Sequence, residues 1–238
     1  MQNKQTSGNR SRDIYTSIKT AYTSKYGSAK QSGIVITQGY LRSMSAALSA
    51  TQGGVTFGIL VNDISSGATA IDASEQRLNL VDNFLATEIR VSLLKVATGD
   101  TASISTISTF PNALVFAKAG EAKALMNVYN GKLSVVINGE TIIDSWDVMR
   151  HYRVGNAQKS VLTAASGTGN AWEASTYDNA SYGFYPVTPQ IELRGNGKNK
   201  ITLALPVGGD LTGTSSSNYV VLEMRGLLIQ NGSTIAQK

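Results

Sequence analysis

The hydrophobic positions divide the chain into a short helical start and a long body with strand periodicity. Residues 1–11 show no period at all; they are polar and charged and read as disordered. From Arg12 to Tyr26, Ile14, Ile18, Ala21 and Tyr22 fall at i, i+4, i+7 and i+8, one face of a helix. Ser11 can cap its start and Gly27 can end it. Ile34-Val35-Ile36 reads as a strand, and Leu41, Met44 and Leu48 predict a second short helix before Gly53-Gly54. From Val55 onward the signals are almost all β. Val55 to Val61 is an apolar run of strand length. Between Asn83 and Leu93, Leu85, Thr87, Ile89, Val91 and Leu93 alternate with Ala86, Glu88, Arg90 and Ser92, the mark of a half-buried strand. Ala113 to Phe116 is a further short apolar run.

Turn chemistry sharpens this reading. Asn-Gly is the least costly pair for a type I′ turn, which needs positive φ at both central residues. Asn130-Gly131 and Asn138-Gly139 therefore predict a three-stranded meander of Leu125–Tyr129, Lys132–Ile137 and Glu140–Ser145. Asn196-Gly197 predicts a hairpin between Gln190–Arg194 and Lys200–Leu205. Tyr219 to Gln230 forms the last strand, where Gly226 breaks the alternation and implies a bulge or close packing. Residues 155–185 are long, polar and aromatic without a period, and loops of that length are usually functional or contact-forming. Eight to ten strands with turns every eight to twelve residues predict an all-β sandwich or barrel, and a single eight-stranded jelly roll is the closed solution at this length. The expected organisation is a basic N-terminal arm with short helices over 1–54 and a β-sandwich over 55–238.

Composition changes the picture of the surface. Only 16% of the 238 residues are charged, against roughly 25% in ordinary domains. Ser, Thr, Asn, Gly and Ala fill the gap, which suits either an exterior covered by neighbours or an extracellular Ser/Thr-rich coat. Charge is unevenly placed. Residues 1–42 hold seven basic side chains against Asp13 alone, and the rest holds fourteen basic and fifteen acidic, so the two parts carry +6 and −1. Lys4, Arg10, Arg12, Lys19, Lys25 and Lys30 thus form a candidate contact for nucleic-acid phosphates or lipid headgroups, or else a tail kept soluble by its charge. The start is polar with no apolar run behind it, so no secretion signal is expected. No stretch approaches 18 apolar residues, the length of a membrane-spanning helix.

Reactive chemistry is sparse. There is no Cys, which excludes disulfides, thiol catalysis and Cys-ligated zinc. The single His151 excludes a two-His metal site, and no Gly-x-Ser-x-Gly elbow is present. Asp147, Arg150, His151 and Arg153 are expected to decorate the surface of a strand or short helix. The 16 acidic residues are scattered, so none is nominated for a glycosidase pair. Asp72, Glu75, Asp82 or Asp178 could contribute to a calcium site, but no EF-hand spacing appears. The Gly-rich Gln52-Gly53-Gly54 and Val207-Gly208-Gly209-Asp210 lack the Lys-Ser/Thr of a P-loop and read as turns. No enzyme activity, cofactor or metal is expected. Trp172, Tyr177, Tyr182, Phe184 and Tyr185 cluster late in the chain and suit a subunit interface, a roof over one end of the sandwich, or a ligand platform.

Taken together, the arm (Arg10, Arg12, Lys19, Lys25), the meander around YNGKLSVVINGETII, and the ending IELRGNGKNKITLALPV followed by YVVLEMRGLLI give the chain an architecture that resembles the jelly-roll capsid proteins of tailless icosahedral viruses, small bacteriophages above all. The resemblance covers most of the chain but contains no diagnostic motif, and it departs from shells built on two jelly rolls per subunit. It implies a structural virion protein that self-assembles into a capsid shell, with the arm facing inward toward viral genome or an internal membrane. The implied partners are copies of the chain itself and other capsid proteins. Ile14, Ile18, Tyr22, Trp172, Tyr177, Tyr182 and Phe184 are the expected subunit-interface residues. The competing reading is a carbohydrate-binding or adhesin-type β-sandwich of a fibre or surface structure.

Overall fold

A computed structural model describes residues 13, 16–21, 24, 33–50, 52–63, 75–97, 109–110, 119–152, 183–206, 211–212 and 216–235. Nine strands are present among them: β1 (Val35–Met44), β2 (Gly54–Phe57), β3 (Asn83–Ala97), β4 (Thr109–Phe110), β5 (Lys132–Ile137), β6 (Glu140–Asp147), β7 (Tyr185–Arg194), β8 (Asn199–Ala204) and β9 (Ser216–Gln230). Helix α1 spans Ala119–Tyr129, a 3-10 turn spans Val148–His151, and the short α2 spans Gly232–Ile235. The strands form two antiparallel sheets, so the protein is an all-β sandwich with few helices. The larger sheet runs β1-β9-β3, with β4 and β7 both along the far edge of β3; the smaller runs β2-β8-β5-β6.

The two sheets share one core. Phe84, Ile89, Val91, Leu93 and Leu222 of the larger sheet meet Phe57, Leu133, Val135, Ile201 and Leu203 of the smaller. Helix α1 adds Leu125, Val128 and Tyr129 to it. These residues fall at i, i+3 and i+4, so one helical face is buried. Tyr129 is fully buried, and burial pushes its hydroxyl well above the ordinary tyrosine value.

Several expectations from the sequence change here. Leu125–Tyr129 is the end of helix α1, not a strand; the run Ala119 to Met126 is rich in good helix formers, and that preference wins over the turn pair after it. Asn130-Gly131 therefore ends a helix, with Asn130 N–H bonded to Met126 O and Gly131 N–H to Val128 O. Asn138-Gly139 does form the expected turn, with φ of 52° and 86° between β5 and β6. Asn196-Gly197 lies in a turn that is not a hairpin. It carries the chain from β7, paired with β3 in one sheet, to β8, paired with β2 and β5 in the other. The predicted helix through Leu41 and Met44 is the second half of β1, paired with β9 from Val35↔Gln230 to Met44↔Val221. Residues 35–54, expected to belong to the arm, thus include a full strand of the larger sheet. The described residues 16–21 are helical, as expected. Ala113 to Phe116 lies outside the described residues.

The alternation in β3 is also interrupted. Its register against β7 and β9 shifts between Ala86 and Glu88, so Thr87 is bulged. Before the bulge Phe84 and Ala86 face the shared core while Leu85 faces outward; after it Ile89, Val91 and Leu93 face the core. One extra residue reverses the parity of the strand. Gly226 sits opposite Ala86, and a Cβ there would lie 1.8 Å from Leu85 O. The Gly226→Ala variant is expected to lose about 2–3 kcal/mol of stability, a melting-temperature drop of about 4–12 °C. An unchanged melting curve would show that the bulge does not require glycine.

Candidate interaction surfaces

The outer face of the larger sheet is covered rather than bare. At one end Ile18 packs on Leu227 and Ile229, with Ile34, Ile36 and Leu85 half-buried around them. At the other end Met44, Leu94 and Val221 form a second outer cluster with Tyr219. Between the two lies a charged row. Arg42 Nε donates to Glu223 Oε1 at 2.9 Å, and Arg90 Nε donates to Glu223 Oε2 at 2.6 Å. The pairing register places Arg42, Glu223 and Arg90 side by side on β1, β9 and β3. Glu223 is 5% exposed, and the two guanidiniums are the partners that its buried carboxylate oxygens meet. Next to them the Phe184 ring lies under Arg225, with Cζ 3.8 Å from its centroid, and under Arg90 at 4.9 Å. Burial lowers the pKa of Arg225, Glu88 opposes that shift, and Arg90 adds to it.

A second cluster joins the edges of the two sheets where β6 ends and β7 begins. Trp146 Nε1 donates to His151 Nε2 at 2.9 Å, and His151 Nδ1 lies 3.0 Å from Gly183 O. An indole N–H only donates, so Nε2 accepts and the ring hydrogen sits on Nδ1, facing the Gly183 carbonyl. His151 is fully buried and neutral in this arrangement, which corrects the expectation of a surface histidine. Asp147 Oδ1 accepts from Met149 N–H at 3.0 Å and caps the 3-10 turn. Arg150 lies over Trp146 at 4.9 Å and Tyr185 at 5.2 Å, and those two rings meet edge-on. Arg153 lies outside the described residues.

Of the residues nominated for calcium, the two described, Glu75 and Asp82, have protein partners. Glu75 pairs with Arg77 at 2.8 Å, both side chains 4% exposed, and accepts from Met44 N–H. Asp82 Oδ1 accepts from Asn231 N–H at 2.8 Å. Asp72 and Asp178 lie outside the described residues. Among the described residues no group of three or more His, Asp or Glu side chains is placed to hold a metal, and no helix is long and apolar enough to cross a membrane.

Of the nominated contact residues, Lys19 is exposed on the N-terminal helical stretch. Ile18 is 9% exposed, covered by its own sheet, and Phe184 is half-buried between two arginines. Lys4, Arg10, Arg12, Lys25, Lys30, Ile14, Tyr22, Trp172, Tyr177 and Tyr182 lie outside the described residues. The reading from sequence missed Trp146 and the Arg42–Glu223–Arg90 row. The row's members are charged residues set directly beside buried apolar ones (Leu41, Ile89, Val91, Leu222, Met224), and that is the signal that marks them.

The sequence matches no protein-family profile and no curated protein. Among solved structures, it is similar to a chain in the crystal structure of PBCV-1 VP54 fitted into a cryo-EM reconstruction of the virophage Sputnik. That likeness has 10% sequence identity and a TM-score of 0.32, and covers 86% of this chain and 45% of that one. The chain therefore spans under half the length of that neighbour.

Replacing Glu223 by Gln leaves Arg42 and Arg90 without their shared carboxylate. The variant is expected to lose about 3 kcal/mol in chemical denaturation, with the larger sheet intact by circular dichroism. A loss below about 0.5 kcal/mol, the range of ordinary surface substitutions, would show that the row is a solvated surface pair.

Proposed function

We propose that this chain is a structural virion protein, a single jelly roll that assembles with copies of itself into an icosahedral shell, with the basic N-terminal segment facing inward. The observation that carries the reading is the strand order. Set aside the two-residue β4 and eight strands remain. They pair first with last (β1 with β9), second with seventh (β2 with β8), third with sixth (β3 with β7) and fourth with fifth (β5 with β6). A long hairpin rolled over on itself pairs in this way, and it is the double-sheet arrangement used by shell, lectin and cupin domains. Within that group, two features favour a shell. The body is poor in charge while the residues before β1, 1–34, hold six basic side chains against Asp13 alone, a net +5, which suits close neighbours outside and polyanion inside. The one histidine, the ligand a cupin-type metal site would draw on, has both ring nitrogens engaged by Trp146 and Gly183. The reading gives the chain no catalytic step.

The test is the size of the purified full-length protein over a range of concentrations, with negative-stain imaging. Large uniform particles are expected. A species of 25.2 kDa at every concentration would overturn the proposal, and glycan binding by that monomer would favour the binding-module reading.

The role of the arm has its own test. Deletion through residue 42 would remove most of β1, so the informative truncation ends at residue 12 and removes Lys4, Arg10 and Arg12. The melting temperature should stay within about 2 °C while the yield of regular particles falls. Regular particles in undiminished yield would remove the arm from the assembly mechanism.

A further inference from the structure

A sheet edge offers unpaired backbone groups to any other strand, and proteins protect their edges with prolines, charges or shortness. Most edges of this sandwich are protected in one of those ways. β7 carries Pro186 and Pro189, neither with an N–H to donate. β6 carries Glu140, Asp144 and Asp147, whose carboxylates would face like charges in a pair of copies. β2 has four residues and β4 two.

β1 differs. It is ten residues long, VITQGYLRSM, with no proline and no acidic residue. Its single charge, Arg42, is bound to Glu223. The two most exposed large hydrophobic residues among those described, Val35 at 51% and Tyr40 at 50%, are both on it. Among the described residues its edge is covered only at the C-terminal half, where Arg42 N–H bonds Gln76 O at 2.8 Å and Gln76 N–H bonds Arg42 O at 2.9 Å. Strand alternation puts the N–H and C=O of Ile36, Gln38 and Tyr40 on that same edge. Among the described residues nothing pairs with them.

We infer that the free half of β1 pairs antiparallel with β1 of a second copy, about a two-fold axis through Gln38, joining the two larger sheets into one. In this register Ile36 faces the second copy's Tyr40, and Gln38 faces its own counterpart. The three residues whose backbone groups point outward meet one another as hydrogen-bonded pairs. No like charges oppose, and the exposed Tyr40 ring gains an apolar neighbour on the same face. The inference deepens the self-assembly reading and rests on it for its biological purpose. The occupant is a second copy because the strand is complementary to itself, which the acidic β6 is not.

The chain has no cysteine, so a single introduced thiol reports cleanly. Directly opposed residues of an antiparallel hydrogen-bonded pair have Cα atoms about 5.5 Å apart, within the range a disulfide spans. Under mild oxidation Gln38→Cys is expected to give a covalent dimer as the main product, while Thr141→Cys on the β6 edge stays monomeric on a denaturing gel. Gln38→Lys, which sets like charges across the axis, should weaken self-association about fivefold or more with an unchanged melting temperature. Equal cross-linking of the two cysteine variants would mark random collision and overturn the inference. If wild-type particles form while Gln38→Cys does not cross-link, the β1 contact is wrong and assembly uses another surface. A wild-type protein that stays monomeric, with no cross-link at position 38, would sink both this contact and the shell reading.

Discussion

The full-length pairing of β3 with β9 is the constraint on which the rest of the structure depends. Each strand is 15 residues long, and they are hydrogen-bonded from Asn83↔Ile229 to Ala97↔Ser216. β1 lies on the free side of β9, and β7 and β4 on the free side of β3. Both faces of β9 are also covered, one by the shared core and the other by the outer clusters around Ile18 and Met44, which explains why YVVLEMRGLLI reads as nearly continuous hydrophobic sequence. It also explains the charged row. A carboxylate in such a strand is tolerated only when its partners are supplied by its neighbours, and Arg42 and Arg90 come from the strands on either side of Glu223.

The bulge at Thr87 determines how the faces are used. Without it, Leu85 and Ile89 would share a face. With it, Leu85 turns outward to the surface where Ile18 docks, and Ala86 turns inward beside Gly226. A single inserted residue therefore gives β3 two apolar faces in succession. The N-terminal helical stretch can then rest on the sandwich through Ile18.

The buried polar groups at the β6–β7 junction are occupied by one another: Trp146, His151 and the Gly183 carbonyl form a closed chain of hydrogen bonds. That closure fixes the bases of the two strands that flank residues 153–182. The distribution of edge protection is the more informative feature, because prolines and carboxylates guard some edges while β1 presents exposed apolar side chains and, among the described residues, a ladder left open over its N-terminal half.

Local chemistry was legible in the residues themselves. Asn138-Gly139 makes its turn because positive φ is a property of those two residues, and the helical face through Ile18 follows from spacing. The β-rich class and the close packing at Gly226 were legible for the same reason. Features decided by residues distant in sequence were not. Asn196-Gly197 turns the chain in either case, but only the competing partners β3 and β5 decide that it joins two sheets. Leu41 and Met44 fit a helix by spacing and become a strand because β9 offers a ladder. His151 looks like a surface residue until Trp146 and Gly183 close around it, and Phe184 is held between Arg90 and Arg225, far from it in the chain. Backbone preference and turn geometry act over a few residues, so the sequence alone determines them. Register, burial and the pairing of charges depend on which segments meet, and only the tertiary structure decided those.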